Sequence, residues 1–409
     1  MSEQAPSTYS PVQRRDVRLL AIFRGLSFLG DGLAMVALYL RVAPSGHAWA
    51  VAGLGIGAMV PFALLATVSG VVADRVRAKP YLVSLGALEA VVCAGLGLFH
   101  SIGATLGLVV ALNAVVAFSL PGYTALLPSL AGEANINAAQ GTLQAAQGLA
   151  SIAGPVLGGV LVGVAGQSLP LYLDAISFLL GALGTALLRG DRLPVRHHDE
   201  ASSHASAGFR LVLADPLLRD LNILIVVFML VLGMINVAEV FYITQTLHGS
   251  ALAYGALGAS FGAGTVVGAL VGGRLSTTMA ALTRRVVLGV VLIGLCMVGA
   301  GSVEHVVEVY PPLFVAGIAV GIANVAAMTI LTMRSPDHVR GRVFAALIAL
   351  DQIAQVGATV AGGAILSLVA PRTVFFIGGV GATAVSLAIG PLAWRSRHAP
   401  SPLAQALAD

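Results

Sequence analysis

Twelve long apolar runs, separated by short segments that carry most of the charge, constrain this 409-residue chain more than any other feature. A bilayer core is about 30 Å thick, so a helix that spans it needs roughly 20 apolar residues. We therefore predict an all-α membrane protein of about twelve transmembrane helices. We assign these helices to residues 19–41, 48–72, 80–99, 103–128, 138–165, 170–188, 221–246, 252–274, 285–303, 309–333, 342–369 and 372–394.

The low content of charged residues agrees with a membrane location. Only 10% of the residues are charged and 57% are hydrophobic, whereas about 25% of the residues of a soluble domain are charged. So few charges cannot cover a water-soluble surface, so lipid must surround much of the protein. The first apolar run is longer than the core of a signal peptide, roughly 7–15 residues, and we interpret it as a retained helix.

Basic residues lie almost entirely on one side of the predicted membrane. Nineteen of the 22 lysines and arginines fall in the termini or in segments that join an even-numbered helix to the next helix. Arg41 and Arg372 fall on the other side, and Arg24 lies inside the first helix. By the positive-inside rule, both termini are cytoplasmic. Because Lys79 is the only lysine, the composition also indicates a high-GC bacterial source, so we predict a multi-pass protein of the bacterial inner (cytoplasmic) membrane.

The chain also contains an internal repeat. The run GPVLGGVLVG at residues 154–163 resembles ATVAGGAILS at residues 358–367, and the two glycine pairs are 204 residues apart, half of the chain. Two parallel-related halves of six helices are a transporter architecture, with the substrate site between the halves near the midplane. We predict an N-terminal tail at 1–18, a six-helix bundle at 19–188, a cytoplasmic central loop at 189–220, a second six-helix bundle at 221–394 and a C-terminal tail at 395–409.

The loop after the second helix carries a recognisable motif. It reads Gly70-Val-Val-Ala-Asp74-Arg75-Val-Arg77-Ala-Lys79-Pro80 and resembles the signature loop of the major facilitator superfamily. Gly70 would let the second helix approach a neighbour closely. Asp74 can cap or pair at a helix end, while Arg75 and Lys79 hold the loop in the cytoplasm. Arg77 stands where the family has glycine, so the family's charge relay does not carry over in detail. A plain positive-inside loop is the alternative interpretation.

The fifth helix carries a second motif of small residues. Gly141, Ala150, Gly154, Pro155, Gly158 and Gly159 follow the spacing G-x8-A-x3-G-P-x2-G-G. This resembles the antiporter motif of the same superfamily, with alanine at one glycine position. Glycines at this spacing make a smooth helix face, and a proline permits a kink. The resemblance implies export of a substrate in exchange for a proton, and ordinary close helix packing is the alternative.

The loop after the tenth helix points to one branch of the superfamily. Arg334, Pro336, Arg340, Gly341 and Arg342 form the pattern R-x-P-x-x-x-R-G-R-V, which resembles the branch of enterobactin-type siderophore exporters and macrolide efflux proteins. The resemblance extends over nearly the whole chain and implies a monomer. The fourth helix lacks the arginine of many drug–proton antiporters, so a coupling mechanism built on that arginine is not implied. Further matches to this branch lie at Arg24, Gly30, Asp31, Pro121 and Pro128.

Ionisable residues inside the helices are the candidate functional residues, because a charge in hydrocarbon is costly. Asp31 lies near the middle of the first helix, and Arg24 lies two turns earlier on nearly the same face. The resemblance places the first and seventh helices around a cavity, so we predict that Asp31, Arg24 and Glu239 line a site for protons or substrate. Glu89 belongs to the same prediction, with a structural hydrogen bond as its alternative.

Further polar residues complete this candidate set. Asp174 and Asp351 lie nearer helix ends, which favours a structural role for both. The uncharged members of the predicted cavity are Asn113, Asn236, Asn324, Gln352 and Gln355.

No feature of the sequence suggests chemistry on a substrate. The chain has no GxxxxGK[ST] phosphate loop, no nucleophile arrangement and no metal-ligand spacing. His197, His198 and His204 lie in the central loop, and we interpret them as part of a solvated linker. We predict no enzymatic activity, no cofactor and no metal. The net charge of +4 lies on the cytoplasmic side, where anionic lipids account for it, so no nucleic-acid partner is expected.

These observations predict a secondary active transporter that works by alternating access. The expected activity is proton-coupled efflux of an amphipathic small molecule, such as a drug, a siderophore or another natural product. Its partners would be this small molecule, protons and the lipid bilayer. Two alternatives stay open: a transporter-like membrane sensor that binds without translocating, and a lipid flippase on the same fold.

Overall fold

The computed structural model describes residues 10–132, 135–191, 212–335 and 337–397. Inside the helices it leaves the side chains of residues 66, 67, 137, 337–342, 345 and 348 undescribed. Twelve helices in the described part are long and apolar enough to cross a membrane. This confirms the predicted all-α membrane fold.

Short connections join the helices within each set of six. The first six are α1 (Pro11–Val42), α2 (Ala48–Arg75), α3 (Ala78–Leu98), α4 (Ile102–Ala131), α5 (Ile136–Ala165) and α6 (Ser168–Ala186). The second six are α7 (Pro216–Phe241), α8 (Ala251–Gly272), α9 (Met279–Ser302), α10 (Tyr310–Arg334), α11 (Asp337–Leu366) and α12 (Pro371–Ser396). A π-helical turn, Tyr242–Thr246, extends α7.

The first helix of each set begins earlier than the apolar run predicts, because a polar cap starts it. Before α1, Ser10 Oγ accepts a hydrogen bond from the Gln13 N–H at 3.2 Å, and Gln13 Oε1 accepts from the Ser10 N–H at 3.1 Å. This reciprocal capping box satisfies two free donors of the first turn. Before α7, Asp215 Oδ1 accepts from the N–H groups of Leu217 and Leu218 at 3.0 and 3.2 Å. Hydropathy does not detect such polar caps.

The described helices form two compact units. The first unit contains Met1–Ser45, Gly57–His197 and Ser250–Gly255. The second unit contains Gly46–Ile56, His198–Gly249 and Ala256–Asp409.

The two units repeat one packing pattern. In the first unit, α1 packs against α5 and α6, and α3 packs against α4 and α6. In the second unit, α7 packs against α11 and α12, and α9 packs against α10 and α12. Adding six to the helix numbers of each pair in the first unit gives the corresponding pair in the second unit. The structure therefore confirms two parallel-related sets of helices, as the glycine repeat predicts.

The repeat extends to buried aspartates that the sequence analysis did not identify. Asp16 on α1 and Asp220 on α7 are 204 residues apart, and each pairs with the arginine before it, at 3.3 and 3.1 Å. Asp16 Oδ2 accepts from the backbone N–H groups of Arg189 and Gly190, just after α6, at 2.8 and 2.9 Å. Asp220 Oδ2 accepts from Ser396 Oγ, at the end of α12, at 2.6 Å. In both units this aspartate ties the first helix to the end of the sixth.

The two exceptions to the charge asymmetry have a structural explanation. Arg41 Nη1 donates to the carbonyl oxygens of Leu96 and Phe99 at 2.5 and 3.3 Å. Arg372 Nη2 donates to the carbonyl oxygen of Val303 at 2.6 Å. Both guanidinium groups therefore satisfy carbonyl groups at the C-terminal ends of α3 and α9, where a cation also complements the helix dipole.

Candidate functional site

The candidate site of the first unit is centred on Asp31 and Arg24 of α1. The Asp31 side chain is exposed, although it lies in the middle of a membrane-spanning helix. Arg24 is half-buried, and its Cζ atom lies 4.3 Å from the centroid of the Tyr123 ring and 4.7 Å from that of Phe28. The ion pairs of the described residues do not include one between Asp31 and Arg24. Two aromatic rings thus hold the guanidinium group through cation–π contacts, and Asp31 forms no ion pair within the described part of the chain.

Two more carboxylates lie within electrostatic range of Asp31. They belong to Glu89 on α3 and Asp174 on α6. Glu89 is only 4% exposed, and its Oε1 accepts a hydrogen bond from Ser119 Oγ at 2.5 Å. Glu89 therefore faces α4 inside the unit and does not line an open surface, in agreement with the structural alternative. Its effect on Asp31 is through charge.

Asp174 is the most deeply buried of the three acids. It is 1% exposed, and its two carboxylate oxygens accept from Cys93 Sγ at 3.2 Å and from Ser177 Oγ at 3.1 Å. A Cβ added at Gly30, the residue before Asp31, would collide with Asp174 Oδ1 and Ser177 Oγ. The glycine before Asp31 is thus required for α1 to approach this buried carboxylate.

The glycines of the antiporter motif press α5 against α1. A Cβ added at Gly154 would lie 3.0 Å from the Gly32 Cα atom, and one added at Gly158 would lie 3.1 Å from the Leu33 Cα atom. At Gly159 the added atom would lie 2.9 Å from the Cα atom of Leu252, in the first turn of α8, which belongs to the same unit. These positions exclude any larger residue without movement of the backbone.

Two glycines do not make the predicted close contacts. A Cβ added at Gly70 or at Gly141 would meet no atom within 4 Å in the part of the chain that the structure describes. Close to Gly70 in sequence, Val68 and Val71 are 53% and 39% exposed, whereas Ala73 is 3% exposed. Among the described residues, no neighbour lies close to Gly70, and its role in close helix packing stays a prediction. Gly141 lies before the part of α5 that packs against α1. The contact between the two helices involves the later glycines, Gly154 and Gly158.

The basic residues of the signature loop contact the end of α6. Lys79 Nζ donates to the Leu188 carbonyl oxygen at 2.5 Å, and the Lys79 N–H donates to Asp191 Oδ1 at 3.0 Å. Arg77 Nε lies 3.8 Å from Asp191 Oδ2. Asp74 and Arg75 close α2 just before this loop. The loop therefore holds the start of α3 to the chain segment after α6.

Arg334 belongs to the structural framework of the second unit. It is 7% exposed, and its Nη1 atom lies 3.1 Å from Asp215 Oδ2. Its Nη2 atom donates to the carbonyl oxygens of Ser396 and Arg397 at 3.4 and 3.2 Å. Arg340, Gly341 and Arg342 lie in α11, but their side chains are outside the described residues, as are Pro336 and the three histidines of the central loop.

The remaining predicted cavity residues are spread over several helices. Glu239 and Asn236 are half-buried and lie one turn apart near the end of α7. Asn324 on α10 and Gln352 on α11 are exposed, and Gln355 is half-buried. In the described part of the second unit, no hydrogen bond connects these side chains to one another. In the first unit, Asn113 Nδ2 donates to the Val109 carbonyl oxygen of its own helix at 2.9 Å.

The partners of the charged residues on α1 and α3 lie on α4 and were not predicted from the sequence. Tyr123 carries Arg24, and Ser119 binds Glu89. These two residues lie four positions apart on α4, so they share one face of that helix. Two polar residues on one face of an otherwise apolar helix indicate that this face contacts polar groups, so the sequence contained a signal for Ser119 and Tyr123. No group of three His, Cys, Asp or Glu residues in the described chain could hold a metal ion.

Comparison with known proteins agrees with this architecture. Residues 6–406 match the family of transmembrane secretion effectors, within the major facilitator superfamily. The multidrug efflux pump Tap of Mycobacterium tuberculosis is 27% identical over 344 residues, which cover 78% of this chain and 80% of that protein. The Tap pump of Mycobacterium bovis matches to the same extent.

Solved structures of transporters share the fold. A bacterial homologue of the human lysosomal transporter Spinster, inward-facing and unoccupied, has a TM-score of 0.70 at 16% identity and covers 95% of this chain and 98% of its own. A mutant of the nucleoside transporter NupG has a TM-score of 0.73 at 11% identity and covers 93% of this chain and 99% of its own. All of these relatives are transporters, not enzymes. With twelve spanning helices and a family match over nearly its full length, the chain is a multi-pass membrane transporter that belongs to the transmembrane secretion effector family of the major facilitator superfamily.

Proposed function

We propose that this transporter exports an amphipathic small molecule in exchange for protons, by alternating access, from the cytoplasmic membrane of a bacterium. The observation that carries the proposal is Asp31, an exposed carboxylate in the middle of a spanning helix that forms no ion pair with any described residue. A charge at that depth costs roughly 2.5–3.5 kcal/mol on insertion scales. Such a group is retained where it binds a proton or a cationic ligand.

The surroundings of Asp31 support a role in proton exchange. Arg24 is held against Tyr123 and Phe28, so its charge acts on Asp31 from a distance. Glu89 and Asp174 are two further acids within electrostatic range, and each opposes ionisation of Asp31 when it is itself ionised. The balance between one cation and three acids changes with small movements of the helices, because Coulomb energy depends on distance and on exposure to water.

The contact between α1 and α5 supports a link between Asp31 and conformational change. Gly32, the residue after Asp31, lies against the backbone of Gly154 on α5. A movement of α5 would therefore shift the backbone next to Asp31, because the backbones of Gly32 and Gly154 lie directly against each other. We infer that this contact connects protonation of Asp31 to the movement of α5 during alternating access. The other motif residues would act as gates: Gly158 and Gly159 on α5, and Arg340 to Arg342 on α11.

The class of substrate is inferred from the relatives. The family contains secretion effectors, and the Tap relative is a multidrug efflux pump. An amphipathic drug, siderophore or other natural product fits both descriptions. The exposed polar residues Asn324 and Gln352, with Glu239, would contribute the second unit's contacts to the substrate. The bias of nineteen of 22 basic residues supports cytoplasmic termini, and we propose a monomer as the working unit.

The experiment compares wild-type protein with Asp31→Asn in proteoliposomes under an imposed proton gradient, with ethidium as a cationic probe and Nile red as a neutral one. If Asp31 carries the proton, the variant should lose uphill transport of both probes while downhill equilibration persists. If Asp31 binds the substrate cation, affinity for ethidium alone should fall. Wild-type rates for both probes in the variant would refute both roles. Probe binding without transport by wild-type protein would favour a sensor, and transport of labelled phospholipid alone would favour a flippase.

A further inference from the structure

A small cavity inside the second unit plays no part in the function proposed above. It lies between α7, α10 and α11 and has a volume of about 50 Å³. Only two of its lining residues are polar: Asn222 on α7 and Asp351 on α11. The others are leucine, isoleucine, alanine and methionine. The cavity is therefore an apolar pocket with one amide and one carboxylate in its wall.

Neither polar group has a protein partner for the atom that is buried there. Asn222 is 8% exposed, and its Nδ2 atom has no acceptor among the described residues. Asp351 Oδ1 is also buried, and no described residue donates a hydrogen bond to it. A buried amide N–H or carboxylate oxygen without a partner is unfavourable. An occupant of the cavity is thus needed to satisfy a donor and an acceptor together.

The charged groups on α7 and α10 are engaged elsewhere. Arg219 at the start of α7 pairs with Asp220 at 3.1 Å. Arg334 at the end of α10 pairs with Asp215, also at 3.1 Å. Glu239 lies near the opposite end of α7 and does not line the cavity.

On α11 and α12, Asp351 is the one charged group of the described residues that lines the cavity. Arg342, whose side chain is not described, lies nine residues before Asp351, which is about 13 Å along a helix axis; Arg340 lies further still. On α12, Arg372 donates to the Val303 carbonyl oxygen and Arg395 is exposed. Among the described residues, Asp351 is therefore the one charged group in the cavity wall.

The size and chemistry of the cavity select its occupant. Drug-sized ligands need roughly 300–1,000 Å³, so the transported molecule cannot bind there. A water molecule needs only about 10–15 Å³ and fits. A hard metal cation takes about six oxygen ligands, which an apolar wall with one carboxylate and one amide cannot provide. A proton needs a single lone pair, and a water molecule can accept from the amide and donate to the carboxylate at once.

We propose that this cavity is a second proton-binding site, at which Asp351 takes up and releases a proton through a water molecule held by Asn222. On uptake, the proton moves from water to a carboxylate oxygen and forms the neutral acid; on release, it returns to water. The proposal rests on the proposed proton coupling for its role in transport. Proton binding itself requires only the cavity, and α7 and α11, which pack together, form two of its walls.

Infrared difference spectroscopy of the purified protein in detergent micelles tests this proposal as a function of pH. Wild-type protein should show a carbonyl band of a protonated carboxylic acid that titrates with pH, and Asp351→Asn should remove this band. Asn222→Leu should increase the protonated fraction at a given pH, because the ionised form loses its bridging water. Thr332→Leu, a polar-to-leucine change at an exposed position of α10 outside this cavity, should leave the band unaltered.

The outcomes separate this site from Asp31. The band assigned to Asp351 should persist in Asp31→Asn, whether or not that variant transports. If Asp351→Asn does not fold, Asp351→Glu should shift the band instead of removing it. Identical spectra of wild type and both Asp351 variants at every pH would overturn the proposal. A band that disappears when choline is replaced by sodium at constant pH would assign a sodium site, and the proton site would then be wrong.

Discussion

Two glycines on the same helix should respond very differently to substitution by alanine. A Cβ added at Gly158 would lie 3.1 Å from the Cα and O atoms of Leu33 and 3.2 Å from the Val36 Cβ atom. None of these atoms can rotate away, so α1 and α5 would have to separate by a few tenths of an ångström. At Gly163, further along α5, an added Cβ would meet no atom within 4 Å. Gly163 is therefore a matched control in the same helix.

The comparison isolates the packing contribution. Both substitutions gain the same helix propensity, about 1 kcal/mol, so this gain cancels in the difference between the variants. Overpacking typically costs roughly 1–3 kcal/mol. We therefore expect Gly158→Ala to be less stable than Gly163→Ala by roughly 1–3 kcal/mol, because only the first must move a backbone.

Unfolding by sodium dodecyl sulfate in mixed micelles, followed by circular dichroism, measures this difference. The larger variants extend the test to function: Gly158→Leu should insert into the membrane but lose ethidium export, whereas Gly163→Leu should keep export. Pro155→Leu should behave like Gly158→Leu if the proline shapes the same face. Equal stability of the two alanine variants, together with normal export by Gly158→Leu, would show that the contact between α1 and α5 has no such effect.

Two further predictions concern orientation and the repeated aspartates. Single cysteines placed at residues 189–219, with the buried Cys93 and Cys296 replaced by alanine, should react in intact cells only with membrane-permeant thiol reagents; labelling by an impermeant reagent would reverse the orientation. Asp16→Asn and Asp220→Asn should each destabilise the protein by roughly 1.5–3 kcal/mol, the usual value for hydrogen bonds to a charged group. A wild-type unfolding curve for both variants would mean that these aspartates do not hold the helix ends.

The helices could be predicted because the thickness of a bilayer sets the length of an apolar run that spans it. The hydropathy of the apolar runs does not predict where α1 and α7 begin, because Ser10 and Asp215 start these helices through side-chain caps. Nor could it explain Arg41 and Arg372, because the carbonyl groups that they satisfy lie on other helices. The local rules of helix formation therefore determine the elements, while contacts distant in sequence determine their ends.

The candidate site was predictable only in part. Asp31 and Arg24 stand out in the sequence because charges are rare in spanning helices. Their surroundings do not, since Tyr123 is about a hundred residues away in sequence from Arg24. The glycine motif of α5 illustrates the same limit: Gly154 and Gly158 contact α1, whereas a Cβ added at Gly141 would meet no described atom within 4 Å. A motif indicates that some glycines allow close approach, but only the packing of neighbouring helices determines which ones.

Proton movement during substrate flux is the most direct test of the proposed exchange. Proteoliposomes with weakly buffered pyranine inside would receive an ethidium gradient but no initial pH gradient. The account predicts that downhill ethidium flux through wild-type protein drives protons in the opposite direction and changes the internal pH, whereas Asp31→Asn moves ethidium without a pH change. Ethidium flux through wild-type protein with no proton movement, or the same pH change in Asp31→Asn, would contradict the assignment of Asp31 as the proton carrier.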